Sequence, residues 1–213
     1  MNNVIEKLTE TFTKFPGIGP RQAKRFVYFL LSQDESYVKN LLTDIKELRS
    51  EVGQCPECFR FFVQRSDLKG VRRSDLGVQC ELCSDPNIEN DKLLIVEKDA
   101  DLENIRKTNK YHGRYFVLGG LLPILEKQPE LRIRIYELRS RIKELPELKE
   151  VILALSANPV GENTAEYLHQ ELAKFPPPTG GIKISSLGRG ISTGSELEYA
   201  DSATLTSALE SRR

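Results

Sequence analysis

Tryptophan is absent from this 213-residue chain, histidine occurs twice, and no apolar run is long enough to span a bilayer. The missing tryptophan says nothing about function; the other absences exclude more. His112 and His169 lie far apart with no nucleophile motif near them, and neither a Ser-centred elbow nor a P-loop is present. Hydrolase and NTPase chemistry therefore lack their residues. No charge of one sign dominates, because 31 basic residues balance 31 acidic ones. A uniformly basic nucleic-acid binder is excluded, so any such contact needs a local patch. The start Met1-Asn2-Asn3-Val4-Ile5-Glu6-Lys7 lacks the basic-then-apolar form of a signal peptide. The expected compartment is the reducing cytoplasm, with no membrane partner.

Cysteine is scarce but concentrated. Cys55, Cys58, Cys80 and Cys83 form two CxxC knuckles, Cys-Pro-Glu-Cys and Cys-Glu-Leu-Cys, and no other cysteine exists. Each knuckle can aim two thiolates at one ion, and the long intervening loop lets the second complete a tetrahedron. Soft thiolates favour zinc, and four of them leave no open position for a catalytic water. The expected cofactor is a structural Zn²⁺. The competing reading is a pair of CxxC disulfides. That is a redox motif of thioredoxin-like units, and the flanks Gln54 and Phe59 to Phe62 do not resemble one.

Before the cysteines the pattern is helical. Val4, Ile5, Leu8 and Phe12 predict one buried face, and Ala23, Phe26, Val27, Leu30 and Leu31 a second. Ser32 and Glu35 have capping-box spacing ahead of a third helix carrying Val38, Leu41, Leu42, Ile45 and Leu48. Ser84 to Asp91 reads as a polar linker. Beyond it, strands are predicted at Leu93–Val96, Tyr115–Leu118, Val151–Leu155 and Ile182–Leu187, separated by helix-length segments. Leu131, Ile133 and Ile135 fit strand or helix. Such spacing implies crossovers, hence a mostly parallel sheet with helices on its faces. Pro176 to Pro178 with Gly180-Gly181 reads as a stiff turn before the last strand. The predicted fold class is α+β and multidomain. Its parts are a helical domain at 1–53, a four-cysteine zinc module at 54–84, an α/β domain at 91–187 and a tail at 188–213.

Between the first two helices stands Phe15-Pro16-Gly17-Ile18-Gly19-Pro20, the form of a helix-hairpin-helix turn. Gly17 and Gly19 let the backbone approach a phosphate, and the N–H groups at the following helix start donate to it. Arg21 and Arg25 are one helical turn apart, with Lys24 beside them and Lys14 just before the turn. These residues predict sequence-independent DNA binding through phosphates. The plainer alternative is an αα-corner with a solvated basic face. A second cluster, Arg60, Arg65, Lys69, Arg72 and Arg73, is read as solvated, with Phe59, Phe61 and Phe62 covering the knuckle. Glu97 ends the first sheet strand and is followed by Asp99 and Asp101, whose expected role is to cap and charge the next helix start. A catalytic Mg²⁺ needs several converging carboxylates, and the segment after Leu155 offers only Glu162 beside Ser156 and Asn158. Glu97, Asp99 and Glu162 look like the remains of a metal centre.

Taken in order, these motifs resemble the RecR family of bacterial recombination mediators over nearly the whole chain. The resemblance is carried by Phe15 to Arg25, by the cysteine pairs followed by Ser84-Asp85-Pro86, and by Leu94 to Glu97. Tyr111 to Gly120 and the ending Arg189 to Asp201 extend it. It implies that the α/β part is a Toprim domain, with the family's general-acid position on Glu97. It also implies a non-enzymatic protein that helps load RecA onto single-stranded DNA together with RecO or RecF. A homo-oligomer, dimer to tetramer, of the family's ring-like form is a further implication. The alternative is a metal-dependent Toprim nuclease or primase-like enzyme. One acidic position of the family pattern after the third strand is Val160 here, and the turn from Pro176 to Gly181 looks like a local expansion.

Overall fold

A computed structural model describes residues 3–63, 78–174, 181–188, 198 and 202–210. The chain divides into two compact units, Met1–Val52 and Gly53–Arg213.

In the first unit, α1 spans Val4–Phe12, α2 spans Pro20–Ser32 and α3 spans Glu35–Glu51. A capping box does occur, but at the start of α1. Asn3 accepts from Ile5 N–H at 3.3 Å, while Glu6 reaches back to the Asn3 N–H at 3.3 Å. The box predicted from Ser32 and Glu35 does not form. Ser32 closes α2, and α3 is capped by Asp34, whose carboxylate accepts from Tyr37 N–H at 2.7 Å. Asp34 sits one residue before the helix with its chain extended, which is the geometry a cap requires. The predicted buried faces are also corrected. Among the described residues of the three helices, only Ala23 and Val27 are buried, and Val4 is 80% exposed. An aromatic cluster of Phe12 with Phe15 and Phe26 supports the α1–α2 corner.

The second unit is built on four parallel strands in the order β4-β3-β5-β6. A short pair, β1 (Val52–Gln54) with β2 (Phe61–Val63), frames the first knuckle. The sheet strands and their crossovers run β3 (Glu89–Val96), α4 (Asp99–Lys107), β4 (Gly113–Val117), α5 (Ile135–Lys143), β5 (Glu150–Ala154), α6 (Pro159–Ala173) and β6 (Lys183–Ser186). The predicted linker from Ser84 is shorter than its polarity suggested. Glu89 and Asn90 already belong to β3, because Glu89 N–H bonds to His112 O at 3.0 Å as β4 begins. The ambiguous stretch resolves as a 3₁₀ turn at Pro129–Leu131 leading into α5, with Ile133 and Ile135 buried.

Strand alternation makes two cores. Leu93 and Ile95 face Phe116, Leu138, Leu153 and Leu168, against α5 and α6. Leu94 and Val96 face Leu102 of α4, with Val117 and Ala154. A sheet covered on both faces explains why β3 ends in an unbroken apolar run rather than an alternating one. A tail helix, α7, spans Ser202–Glu210. Arg65, Lys69, Arg72 and Arg73, the stretch Pro176 to Gly180, and most of the ending from Arg189 lie outside the described residues.

Candidate metal centre and nucleic-acid interface

In the first unit, the loop Phe15 to Gly19 joins α1 to α2. Gly17 has φ +75°, a left-handed conformation that favours glycine. Nothing lies within 4 Å of where a Cβ would stand at Gly17 or Gly19, so the backbone there is open to an incoming group. Gly19 is the N-cap of α2, with Pro20 at the first helical position and no side-chain capping bond. The first N–H groups of α2 therefore lack a side-chain acceptor, and the helix dipole favours an anion in front of them. Lys14, Gly17, Gly19, Arg21, Lys24 and Arg25 are all exposed.

In the second unit, the four cysteines are brought together. Cys55, Cys58, Cys80 and Cys83 are buried, and their Sγ atoms all lie within 4.8 Å of one another. Cys58 Sγ and Cys80 Sγ are 3.5 Å apart, and no disulfide joins any pair. The crowding acts on the protons. Hydrogen bonds from the Cys58, Cys80 and Cys83 thiols pull the Cys55 thiol far below the ordinary range, while contacts with Cys55, Cys58 and Cys80 push the Cys83 thiol up. Four buried thiols within reach of one ion, in CxxC pairs, fit a zinc site, and binding would displace their protons.

The knuckle is not a free-standing finger. Cys58 O accepts from Val117 N–H at 2.8 Å, so the knuckle backbone is bonded to β4, the edge of the sheet. Phe61 N–H donates to Asp99 Oδ1 at 2.7 Å. Glu57, inside the first CxxC, accepts from Arg114 at 3.4 Å and pairs with the buried Arg141 of α5. Phe59 holds φ +60°, a backbone state that costs a non-glycine residue roughly 1–2 kcal/mol. It is packed against both sheet cores, with its ring 5.4 Å from that of Phe116 and under the Arg134 guanidinium. Of the three phenylalanines expected to cover the knuckle, Phe62 packs on the cysteines, Phe59 packs on the sheet, and Phe61 is exposed. Arg60 also departs from expectation. Instead of being solvated it is buried, paired to Glu81 at 2.7 Å and Glu103 at 2.8 Å. A polar residue between cysteines carries no periodicity signal. Its acidic partners are 21 and 43 residues away, so only the fold reveals them.

At the carboxyl end of the sheet, Glu97 is half-buried, 3.4 Å from Ser156 Oγ and 3.9 Å from Lys98 Nζ. Asp99 does not cap α4. Lys98 holds the N-cap position, and the Asp99 carboxylate is committed to Phe61 N–H. Glu162 lies in the first turn of α6, which Asn158 caps through Gly161 N–H at 2.8 Å. Among the described residues, the one group of three or more potential metal ligands within reach of a single ion is the cysteine set. Glu97, Asp99 and Glu162 do not form another. No helix among the described residues is long and apolar enough to cross a membrane.

Three family models match the chain: RecR helix-hairpin-helix over residues 5–48, Toprim domain over 91–185, and RecR C-terminal over 190–213. The cysteine pairs fall between the first two. The chain is 37% identical over 210 residues to "Recombination protein RecR" of Synechococcus sp. (strain CC9605), covering 98% of this chain and 99% of that one. It is 35% identical over 209 residues to the protein of the same name in Chloroflexus aurantiacus, at 98% and 93% coverage. The corresponding Bifidobacterium longum (strain NCC 2705) protein is 35% identical over 212 residues, at 100% and 96%. With the helical turn, the thiol cluster and the parallel sheet in the family's order, and similarity running end to end, this chain belongs to the RecR family.

Proposed function

We propose that the protein is a non-enzymatic, DNA-binding recombination mediator in DNA repair. It acts as a ring-like clamp of two to four copies and, with RecO or RecF, helps RecA load onto single-stranded DNA at gaps. The observation that carries the DNA contact is the uncapped start of α2, open above Gly17 and Gly19 and flanked by four exposed cations. That arrangement grips phosphates in any sequence. Lys14, Lys24, Arg21 and Arg25 supply the charge.

Zn²⁺ held by Cys55, Cys58, Cys80 and Cys83 serves structure. Four thiolates close the coordination sphere, so the ion offers no site to a substrate. The reading as a mediator rather than a Toprim nuclease or primase is supported by the use of the acids. Asp99 is tied to Phe61, Glu97 lies beside Ser156 and Lys98, and among the described residues no group of three potential metal ligands gathers at this end of the sheet. Glu97, with Glu162 on the same end of the sheet, then serves as an acidic contact for a basic partner surface.

The test is DNA binding by Arg21→Ala/Arg25→Ala across a salt series. Affinity should fall alike for unrelated sequences, and the salt slope should flatten by about two units, one per lost phosphate contact. Unchanged affinity and slope would leave the turn as a structural corner.

A further inference from the structure

Glu97 and the cysteine knuckle are joined by a short run of bonded atoms. Val117 N–H points outward from the edge strand to Cys58 O at 2.8 Å. The next amide, Leu118 N–H, donates to Val96 O at 2.8 Å, and Gly119 N–H donates to Glu97 O at 2.9 Å. One metal ligand's own carbonyl thus holds the strand whose following two amides hold the backbone of Val96 and Glu97.

A side-chain path runs beside it. Phe59, adjacent to ligand Cys58, is kept at positive φ by Cys55 O, which accepts its N–H at 3.0 Å, and by Gln54 Nε2, which donates to its carbonyl at 2.9 Å. Its ring supports Arg134, whose Nη1 donates to Val117 O at 2.8 Å. The Arg134 guanidinium fills the space beside Gly119, where a Cβ would come within 2.7 Å of Nη1. Gly119, two residues past the end of β4, has φ +91° and so turns the chain beside the guanidinium that the Phe59 ring supports.

We propose that metal occupancy of the cysteine site sets the position of the strand ends that present Glu97, with Phe59 as the positioning residue that transmits it. The inference rests on the readings that the cysteines hold a metal and that Glu97 meets a partner. A bound ion fixes the Cys55–Cys58 turn, and the turn holds Phe59 in its left-handed state. With the ion gone, the Cys55–Cys58 turn loses its anchor. The bonds from Cys55 O and Gln54 and the packing of the ring must then alone hold Phe59 against its preference for negative φ, so its contact with Phe116 and Arg134 loosens. The knuckle is then a control on the partner surface as well as a brace.

Hydrogen exchange of the full-length protein tests this without any partner present. Metal content is measured first, and protein isolated without bound metal overturns the proposal at once. After chelation under reducing conditions, exchange at Val117, Leu118 and Gly119 should rise by about tenfold or more, the signature of local opening. Protection in β5 and α6 should persist. Phe59→Leu with its metal still bound should reproduce the rise at Leu118 and Gly119. Unchanged exchange at those amides after chelation, or a silent Phe59→Leu, overturns the coupling. So does uniform loss of protection through β5 and α6, which is global unfolding. Failure of the partner reading has a separate signature: Glu97→Ala would leave partner retention intact while the exchange pattern stands.

Discussion

The helical unit keeps only Ala23 and Val27 from water among its described helical residues, whereas the sheet unit fully encloses Phe116, Leu93, Ile95, Leu138, Leu153 and Leu168. Both were written with comparable apolar periodicity. In the sheet unit each stripe has a facing layer: α4 covers one side of β3, α5 and α6 the other. In α3, among the described residues, the stripe is largely uncovered within its own unit, and Leu42, Ile45 and Leu48 are half exposed or more. Amphipathic patterning therefore states that a face must be buried, not that its own chain buries it. An unpartnered stripe on a mediator proposed to form rings is where a second copy would supply the missing layer.

The largest effect should come from the enclosed core. Leu153→Ala removes a buried β5 side chain from the core it shares with Leu93, Ile95 and Leu168 and should cost about 2–5 kcal/mol, read as a lower denaturant midpoint of the sheet unit. A loss near zero would mean that the sheet relaxes around the gap and is less tightly packed than its burial implies.

How much the residues disclosed follows the same division. The sheet strands were legible because Leu93 to Val96 and Val151 to Leu155 are short apolar runs bounded by polar or charged residues, and spacing alone made them parallel. The thiol cluster was legible because CxxC spacing is dictated by ligand geometry. What stayed hidden depends on contacts distant in sequence. Glu57 reads as the filler of a knuckle, yet it anchors that knuckle to Arg141, 84 residues on. Asp99 reads as a helix cap because its position suits one, and it is claimed instead by the amide of Phe61. Phe59 gives no sign in sequence of a left-handed backbone, a state that only the surrounding packing can hold.

A smaller effect on stability, and a decisive one on assembly, is expected from α3. Leu42→Ser/Ile45→Ser alters surface positions, so each change should shift the stability of the free chain by no more than about 0.5 kcal/mol. The mass of the assembly, measured by light scattering after gel filtration, should fall to a smaller species. If the mass holds, these residues lie outside the contact between copies, and the contrast between the two units needs another cause.

The smallest effect is a pH dependence belonging to the sheet unit. Burial works to raise the Glu81 pKa, but the hydrogen bond and charge of Arg60, with its own backbone amide and Arg106, outweigh it and hold the carboxyl below its ordinary range. A carboxylate lowered by folding binds its proton more weakly in the native state than in the unfolded chain. Its stabilisation is complete above the unfolded value, about 4.3, and is lost as pH falls through the lowered native one. Glu81 is partly exposed, so water screens the pair and the effect stays modest. In the helical unit Asp34 is lowered as well, through the Tyr37 amide and the Ser36 hydroxyl, so the raw acid profile mixes both units. Comparing wild type with Glu81→Gln isolates the pair, since Asp34 is common to both. The variant should melt lower than wild type near neutral pH, and the gap should close on acidification into the carboxylate range. A gap that persists unchanged at low pH would show that Glu81 acts through packing, and that the buried Arg60 takes its support from Glu103.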